Sequence, residues 1–415
     1  MLRNYFKIAL RNLLRYKEFS LINIAGLAIG IASCIVILLL VRHELTFDRF
    51  HANADRICRV YVKLSSIGST STFGCVQGPL GPALKADFPE VSGYTRLLFA
   101  DLPPRIRVSY KDKDVNIDNT YYTDPSIFQV FSFGLIEGDA STALVEPYTA
   151  VLTEEAARKI FGDEDPLGKV IQRDGKTDYK VTGVLKKIPR NSHLQFDMLL
   201  SMTELVNQPE SQIHVWGIYN PYCYILLEPG TDIKRLEAAI RAYLKKYPET
   251  KNIEYFLQPL ADAHLHSAEI QGELNWAESD PTYVYGICVL ALVVLLIACF
   301  NFMNLSTARF AGRAREVGIR KVVGARRGQL IGQFLGESVL LSFLALLVAV
   351  ALVELALPAL NGFFDGVLMF NYLHDWHLVA GFVAVVICVG LIAGSYPAFF
   401  LSAFRPVNVL KSTPN

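Results

Sequence analysis

The sequence predicts an α-helical membrane protein with four transmembrane helices and a large extracytoplasmic α+β domain between helices 1 and 2. Three observations predict it. Of 415 residues, 52% are hydrophobic and only 19% are charged, richer in apolar residues and poorer in charge than ordinary soluble domains. The apolar residues are concentrated in four runs, 19–41, 284–307, 334–357 and 378–400. Counted in the short flanks and loops alone, lysine and arginine fall on one side of those runs, which sets their direction.

Each run is long enough to cross a hydrocarbon core of about 30 Å at about 1.5 Å per residue. Each must be helical, because lipid offers no partner to an open backbone group. The first run is too long for the apolar region of a cleaved signal peptide, about 7–15 residues, and no small-residue cleavage site ends it. The tail 1–18 carries Arg3, Lys7, Arg11, Arg15 and Lys17, and the loop 308–333 carries Arg309, Arg313, Arg315, Arg320, Lys321, Arg326 and Arg327. The loop 358–377 has neither lysine nor arginine, only Asp365 and Asp375 as formal charges. Both termini and 308–333 are therefore expected inside, the tail 401–415 included, with 42–283 and 358–377 outside.

Arg3, Lys7, Arg11 and Arg15 recur every four residues and form one stripe on a helix, with Leu2, Phe6, Leu10 and Leu13 on much of the remaining surface. Two readings stay open for this amphipathic tail. It lies in the headgroup layer in contact with membrane lipid, or its charges only fix topology.

The external region has room for one or two lobes. Residues 57–64 alternate as a strand, 79–88 suit a helix stopped by Pro89, and 91–99 return as a strand. A second unit repeats this, with strand 222–227, an Asp232 cap, helix 233–244 and strand 253–260. Two such units suggest a split βαβ sandwich of ferredoxin-like type, a lobe drawn from about 50–110 and 205–283. Between them, about 115–204 reads as strand-rich. Its Thr153-Glu154-Glu155 start and Phe161-Gly162 end suit a capped helix, followed by short strands at 169–172 and 179–185.

Chemistry of its own is not indicated. No GxxxxGK[ST] loop occurs, so Walker-type ATP binding is excluded for this sequence. No nucleophile, base and orienting group can be assembled into a hydrolase. Net charge is +1 and segregated, which does not indicate nucleic acid. His264 and His266, placed on a strand, would share a face, but no further ligand cluster completes a metal site. Cys58, Cys75 and Cys223 are the external cysteines, so at most one disulfide is expected there. Polar residues of the spans, Asn301, Asn304, Glu337 and Ser338, gather toward the inner side. A lone acid is a poor proton relay, so a packing and coupling role is expected for Glu337.

The most specific motif is Arg315-Glu316-Val317-Gly318-Ile319-Arg320-Lys321-Val322-Val323-Gly324-Ala325-Arg326. Together with "YTDPSIFQVFSFGLIEGD", "VLTEEAARKIFGDEDPLGKVI" and "GSYPAFFLSAFRPVNVLK" it resembles MacB/FtsX-type ABC transporter permeases, over essentially the entire chain. The resemblance implies a multi-pass protein of the bacterial inner membrane whose cytoplasmic segment docks on a separate ABC-type ATPase dimer. Glu316, Gly318, Arg320, Lys321, Gly324 and Ala325 would carry that coupling. It implies no cofactor in this chain, with ATP and Mg²⁺ entering through the partner, and a permease homodimer or pseudo-dimer. A periplasmic adaptor or cell-wall protein would be a further partner, and the output would be efflux, lipoprotein extraction or hydrolase activation. Gly318 and Gly324 cost roughly 1 kcal/mol each in an exposed helix, so a helix end or a close approach is expected there. The alternative reading is a membrane sensor whose external domain binds a ligand.

Overall fold

The computed structural model describes residues 17–66, 69–101, 105–271, 279–308, 317–363 and 376–403. Arg3, Lys7, Arg11, Arg15 and Glu316 lie outside the described residues. The chain divides into two compact units, Met1–His43 with Thr282–Asn415, and Glu44–Pro281.

The first unit is helical. Helices Lys17–Leu45, Pro281–Ala308, Arg327–Phe363 and Trp376–Ala403 contain the four apolar runs, and each is long and apolar enough to cross a membrane. The third has 37 residues, about 55 Å at 1.5 Å per residue. It outruns a bilayer core, so residues 327–333, which the sequence suggested for the coupling loop, form its first turns. Small residues set the contacts between helices. A Cβ on Gly30 would lie 2.6 Å from the Ala298 Cβ, and one on Gly26 would lie 2.9 Å from Asn301 Nδ2. On the other pair, a Cβ on Gly394 would meet Ser338 Cβ at 2.6 Å, and one on Gly390 would meet Val339 Cα at 2.8 Å. Both are glycines four apart, the spacing that lets helix backbones approach in lipid.

The second unit is α+β. Its strands are β1 (Ile57–Ser66), β2 (Ser69–Phe73), β3 (Cys75–Gln77), β4 (Val91–Phe99), β5 (Arg105–Tyr110), β6 (Lys113–Asp118), β7 (Thr120–Thr123) and β8 (Leu135–Gly138). The series continues with β9 (Thr149–Thr153), β10 (Val170–Arg173), β11 (Thr177–Leu185), β12 (Met198–Ser201), β13 (Tyr219–Leu227), β14 (Ile253–Pro259) and β15 (Ile270–Gln271). Strands β14, β1, β13 and β4 pair antiparallel in that order. With helix Leu80–Asp87 after β1 and helix Ile233–Leu244 after β13, this is the strand order of a ferredoxin-like split βαβ. Leu84, Leu236, Ile240 and Leu244 cover the sheet over Val60, Cys223 and Ile225.

The sheet does not stop at that lobe. It passes from β4 to β7 and on through β12, β9, β11, β10, β5 and β6, so the strand-rich part shares one hydrogen-bonded sheet with the ferredoxin-like part. At the crossing, Arg96 gives a two-pronged bond to Asp124 (Nε to Oδ2, 2.9 Å; Nη2 to Oδ1, 2.7 Å), and both are buried. Helix Glu154–Phe161 starts on the Thr153 hydroxyl, which accepts from Ala156 N at 3.2 Å, and ends at Gly162 with φ 67°. The histidines at 264 and 266 are not on a strand. Helix Leu260–Ala263 continues its turn into His264, which is buried, whereas His266 is exposed, so the two rings do not share a face. Cys58, Cys75 and Cys223 form no disulfide with one another.

Candidate coupling site between the second and third spans

Residues 317–322 are helical, and the end of that helix explains one glycine. Gly324 has φ +99°, a region that costs little only for glycine. Gly324 N donates to Lys321 O at 3.1 Å and Ala325 N donates to Arg320 O at 3.0 Å. This pair of bonds is the Schellman closure, which satisfies carbonyls that the helix end leaves open. Nothing lies within 4 Å of the direction a Cβ would take at 324, so Gly324 is there for backbone conformation. Gly318 is buried within the helix.

The chain then turns directly into the third long helix. Arg326 N donates to the Gln329 side chain at 3.0 Å, one half of a capping box. Val317, Leu330, Phe334 and Ala398 form a small apolar cluster with Ala325 against it. The segment is thus packed on both the third helix and the end of the fourth.

Two of its cations reach those helices. Arg320 Nη1 donates to Gln333 Oε1 at 2.6 Å, and Gln333 Nε2 donates to Glu337 Oε1 at 3.0 Å. Glu337 is buried, and Gln333 joins it to the guanidinium side of the site. Lys321 Nζ donates to Ser402 O at 2.7 Å, and Arg327 Nε to Ser402 Oγ at 3.3 Å. Ser402 stands in the last turn of the fourth helix, where carbonyls lack partners within the helix and attract cations. On the open side, Ile319, Val322 and Val323 are 52%, 65% and 82% exposed. The helix therefore holds its basic side chains inward, on its own spans, and presents three β-branched apolar residues outward.

Of the residues singled out in the sequence, Gly318, Arg320, Lys321, Gly324 and Ala325 fall together in this element. Gln333, Ser402 and the apolar trio were not singled out. Gln333 and Ser402 lie 13 and 81 residues from their cations, and no local pattern announces such pairings.

Comparison with known proteins decides the family. The profile of the MacB-like periplasmic core domain matches residues 20–243, and that of the FtsX-like permease C-terminal region matches residues 288–405. The chain is a MacB/FtsX-type ABC transporter permease. As such it is an inner-membrane protein with a large extracytoplasmic domain. The permease is 24% identical over 99% of its length to the macrolide export ATP-binding/permease protein MacB of Sodalis glossinidius, of which it covers 61%. It is 28% identical over 63% of its length to the uncharacterized ABC transporter permease YknZ of Bacillus subtilis, and covers 61% of that protein. It thus spans about three fifths of the curated relatives named here. The crystal structure of the periplasmic region of MacB from Actinobacillus actinomycetemcomitans aligns with a TM-score of 0.37 at 15% identity, covering 54% of the permease and 94% of that chain.

Proposed function

We propose that the permease is a non-catalytic mechanotransmitter. A separate ABC-type ATPase dimer, which binds ATP and Mg²⁺, docks on the cytoplasmic element 317–325 and closes beneath it. That closure moves the third and fourth spans, and a permease dimer converts the movement into displacement of the external domains. The observation that carries this reading is the two-sided build of the element. Ile319, Val322 and Val323 offer an apolar contact outward, while Arg320 and Lys321 are tied inward to Gln333 and to Ser402. A push on the outer face is shared at once by two spans. The sequence motif assigns Glu316 to the same coupling, and Gly324 ends the helix that makes the contact, with Gly318 buried within it. Efflux, lipoprotein extraction and activation of a cell-wall hydrolase are the outputs open to such a device, with a periplasmic adaptor or cell-wall protein as the recipient.

The test is co-reconstitution with the ATPase that copurifies. Val323→Asp is expected to insert normally and to weaken ATPase association by roughly tenfold or more, about 1.4 kcal/mol. Lys321→Met is expected to keep association and lose the response of the external domain to ATP. Wild-type association by both Val322→Asp and Val323→Asp would overturn the docking assignment.

A further inference from the structure

Residues 46–53 follow the end of the first span helix and contain no long helix or strand, only turns. Such connections are ordinarily the most mobile parts of a fold. This one is fastened from three directions, and its Asp48 and His51 side chains are buried. Glu44 Oε2 meets His264 Nε2 at 2.9 Å, and the Phe47 ring stacks flat on the His264 ring at 3.4 Å. Asp48 N donates to Asn191 O at 2.8 Å, and Asn191 Nδ2 returns a bond to Thr46 O at 2.9 Å.

The Asp48 carboxylate is fully buried. Its Oδ1 accepts from Ser192 Oγ at 3.0 Å and His193 N at 3.1 Å, and its Oδ2 from His193 Nδ1 at 2.7 Å. The far nitrogen of His193, Nε2, lies 2.8 Å from the hydroxyl of Tyr224 in β13. With Nδ1 donating to the carboxylate, the chain Asp48–His193–Tyr224 runs into the centre of the sheet. Asp48 holds φ +56°, an uncommon conformation for a residue other than glycine, kept by the bonds around it. On the third side, Ser132 N donates to His51 Nδ1 at 3.0 Å, Ala52 N to Ser132 Oγ at 2.9 Å, and Asn53 Nδ2 to Gln129 O at 3.2 Å. His264 also accepts, through its carbonyl, from Ser279 N at 3.2 Å, two residues before the second span helix begins at Pro281.

Buried networks of this kind are costly to open at any single point, because each broken bond strands a desolvated partner. An ordinary linker needs none of them. We propose that residues 44–53 are a stiff latch that carries displacement of the first span into the ferredoxin-like core, with Asp48, His193 and His264 as its fastenings. The proposal rests on the mechanotransmission reading and names the external residues through which it acts.

The test uses the full-length permease with its copurifying ATPase in nanodiscs. A fluorophore pair at positions 178 and 326 reports movement of the external domain on addition of ATP and Mg²⁺, and hydrogen exchange reports local stiffness. In the wild type, amides of 44–53 should exchange as slowly as those of β1, and energy transfer should change on ATP. Asp48→Asn is expected to speed exchange of 44–53 by about tenfold or more and to reduce the energy-transfer change by at least half. A Gly-Ser-Gly insertion between Leu45 and Thr46 keeps every fastening of Asp48 and removes only the stiffness, so it decides the matter should Asp48→Asn also loosen β1 and β13. A full-amplitude response in the insertion variant overturns the latch and leaves mechanotransmission standing. No ATP response in the wild type overturns mechanotransmission and the latch with it.

Discussion

His51 packs edge-on against Phe131 and Phe133 with ring centroids 5.0 Å away, and burial drives its pKa down to about 4, partly opposed by the Asp48 charge. The unfolded chain would therefore bind a proton near pH 6.5 that the folded domain refuses until about pH 4. Stability of the external domain should fall as pH drops through that window, by on the order of 3 kcal/mol from this residue alone, and level off below it. Hydrogen exchange of β1 and β13 against pH checks this, and His51→Gln is expected to flatten the profile between those values. Asp48 behaves differently: burial pushes its pKa up, but the charge and hydrogen bonds of His193 outweigh that and hold it below 3.8. Its contribution is thus present above the ordinary carboxylate range and disappears only in stronger acid. At Gly324 the physics is conformational. Gly324→Ala should cost about 1 kcal/mol in local helix stability, read as faster exchange of amides 317–325, with no change in membrane insertion.

Among the elements, the glycine contacts of the spans give a sharp contrast. Gly394→Val places new atoms where a Cβ already lies 2.5 Å from Ser338 Oγ, so the third and fourth helices must separate. Loss of a cysteine crosslink between these helices, or a drop in detergent thermal stability of several degrees, is the expected outcome. Gly286→Val is the control, since nothing lies within 4 Å of its Cβ direction, and it should leave both measures unchanged. Helix boundaries were largely legible beforehand. Helix Ile233–Leu244 shows its apolar face at helical spacing behind an Asp232 cap, which accepts from Arg235 N at 3.2 Å. The third long helix was harder to bound, because Arg327, Gln329, Gln333 and two glycines make residues 327–333 read as loop although they begin the helix on a Gln329 cap.

At the scale of the whole molecule, orientation and sheet continuity are the testable features. Thiol labelling of intact cells with an impermeant reagent should modify a cysteine placed at Asp178 and spare one placed at Arg326; the reverse pattern would overturn the orientation. Within the external unit the buried Arg96–Asp124 pair stands where β4 meets β7. Arg96→Met strands a buried carboxylate and should destabilise the domain by about 3–5 kcal/mol, seen as loss of exchange protection on both sides of that junction.

What the sequence by itself determined is what depends on neighbours along the chain: four spans from uninterrupted apolar length, their direction from lysine and arginine, and helices from caps and spacing. It also carried the family, through the motif around Arg320. The pairing of β4 with β7 was decided only in three dimensions, because alternating strands are interchangeable as patterns and do not name their partners. The partners of Arg320 and Lys321 were likewise invisible, since Gln333 approaches only once the chain turns at Gly324, and Ser402 only once the third and fourth helices pack through Gly390 and Gly394. The two bonds of the Asp48–His193–Tyr224 chain join residues 145 and 31 positions apart. A buried polar network of that kind has no local signature, because each member is an ordinary residue until the fold removes its water.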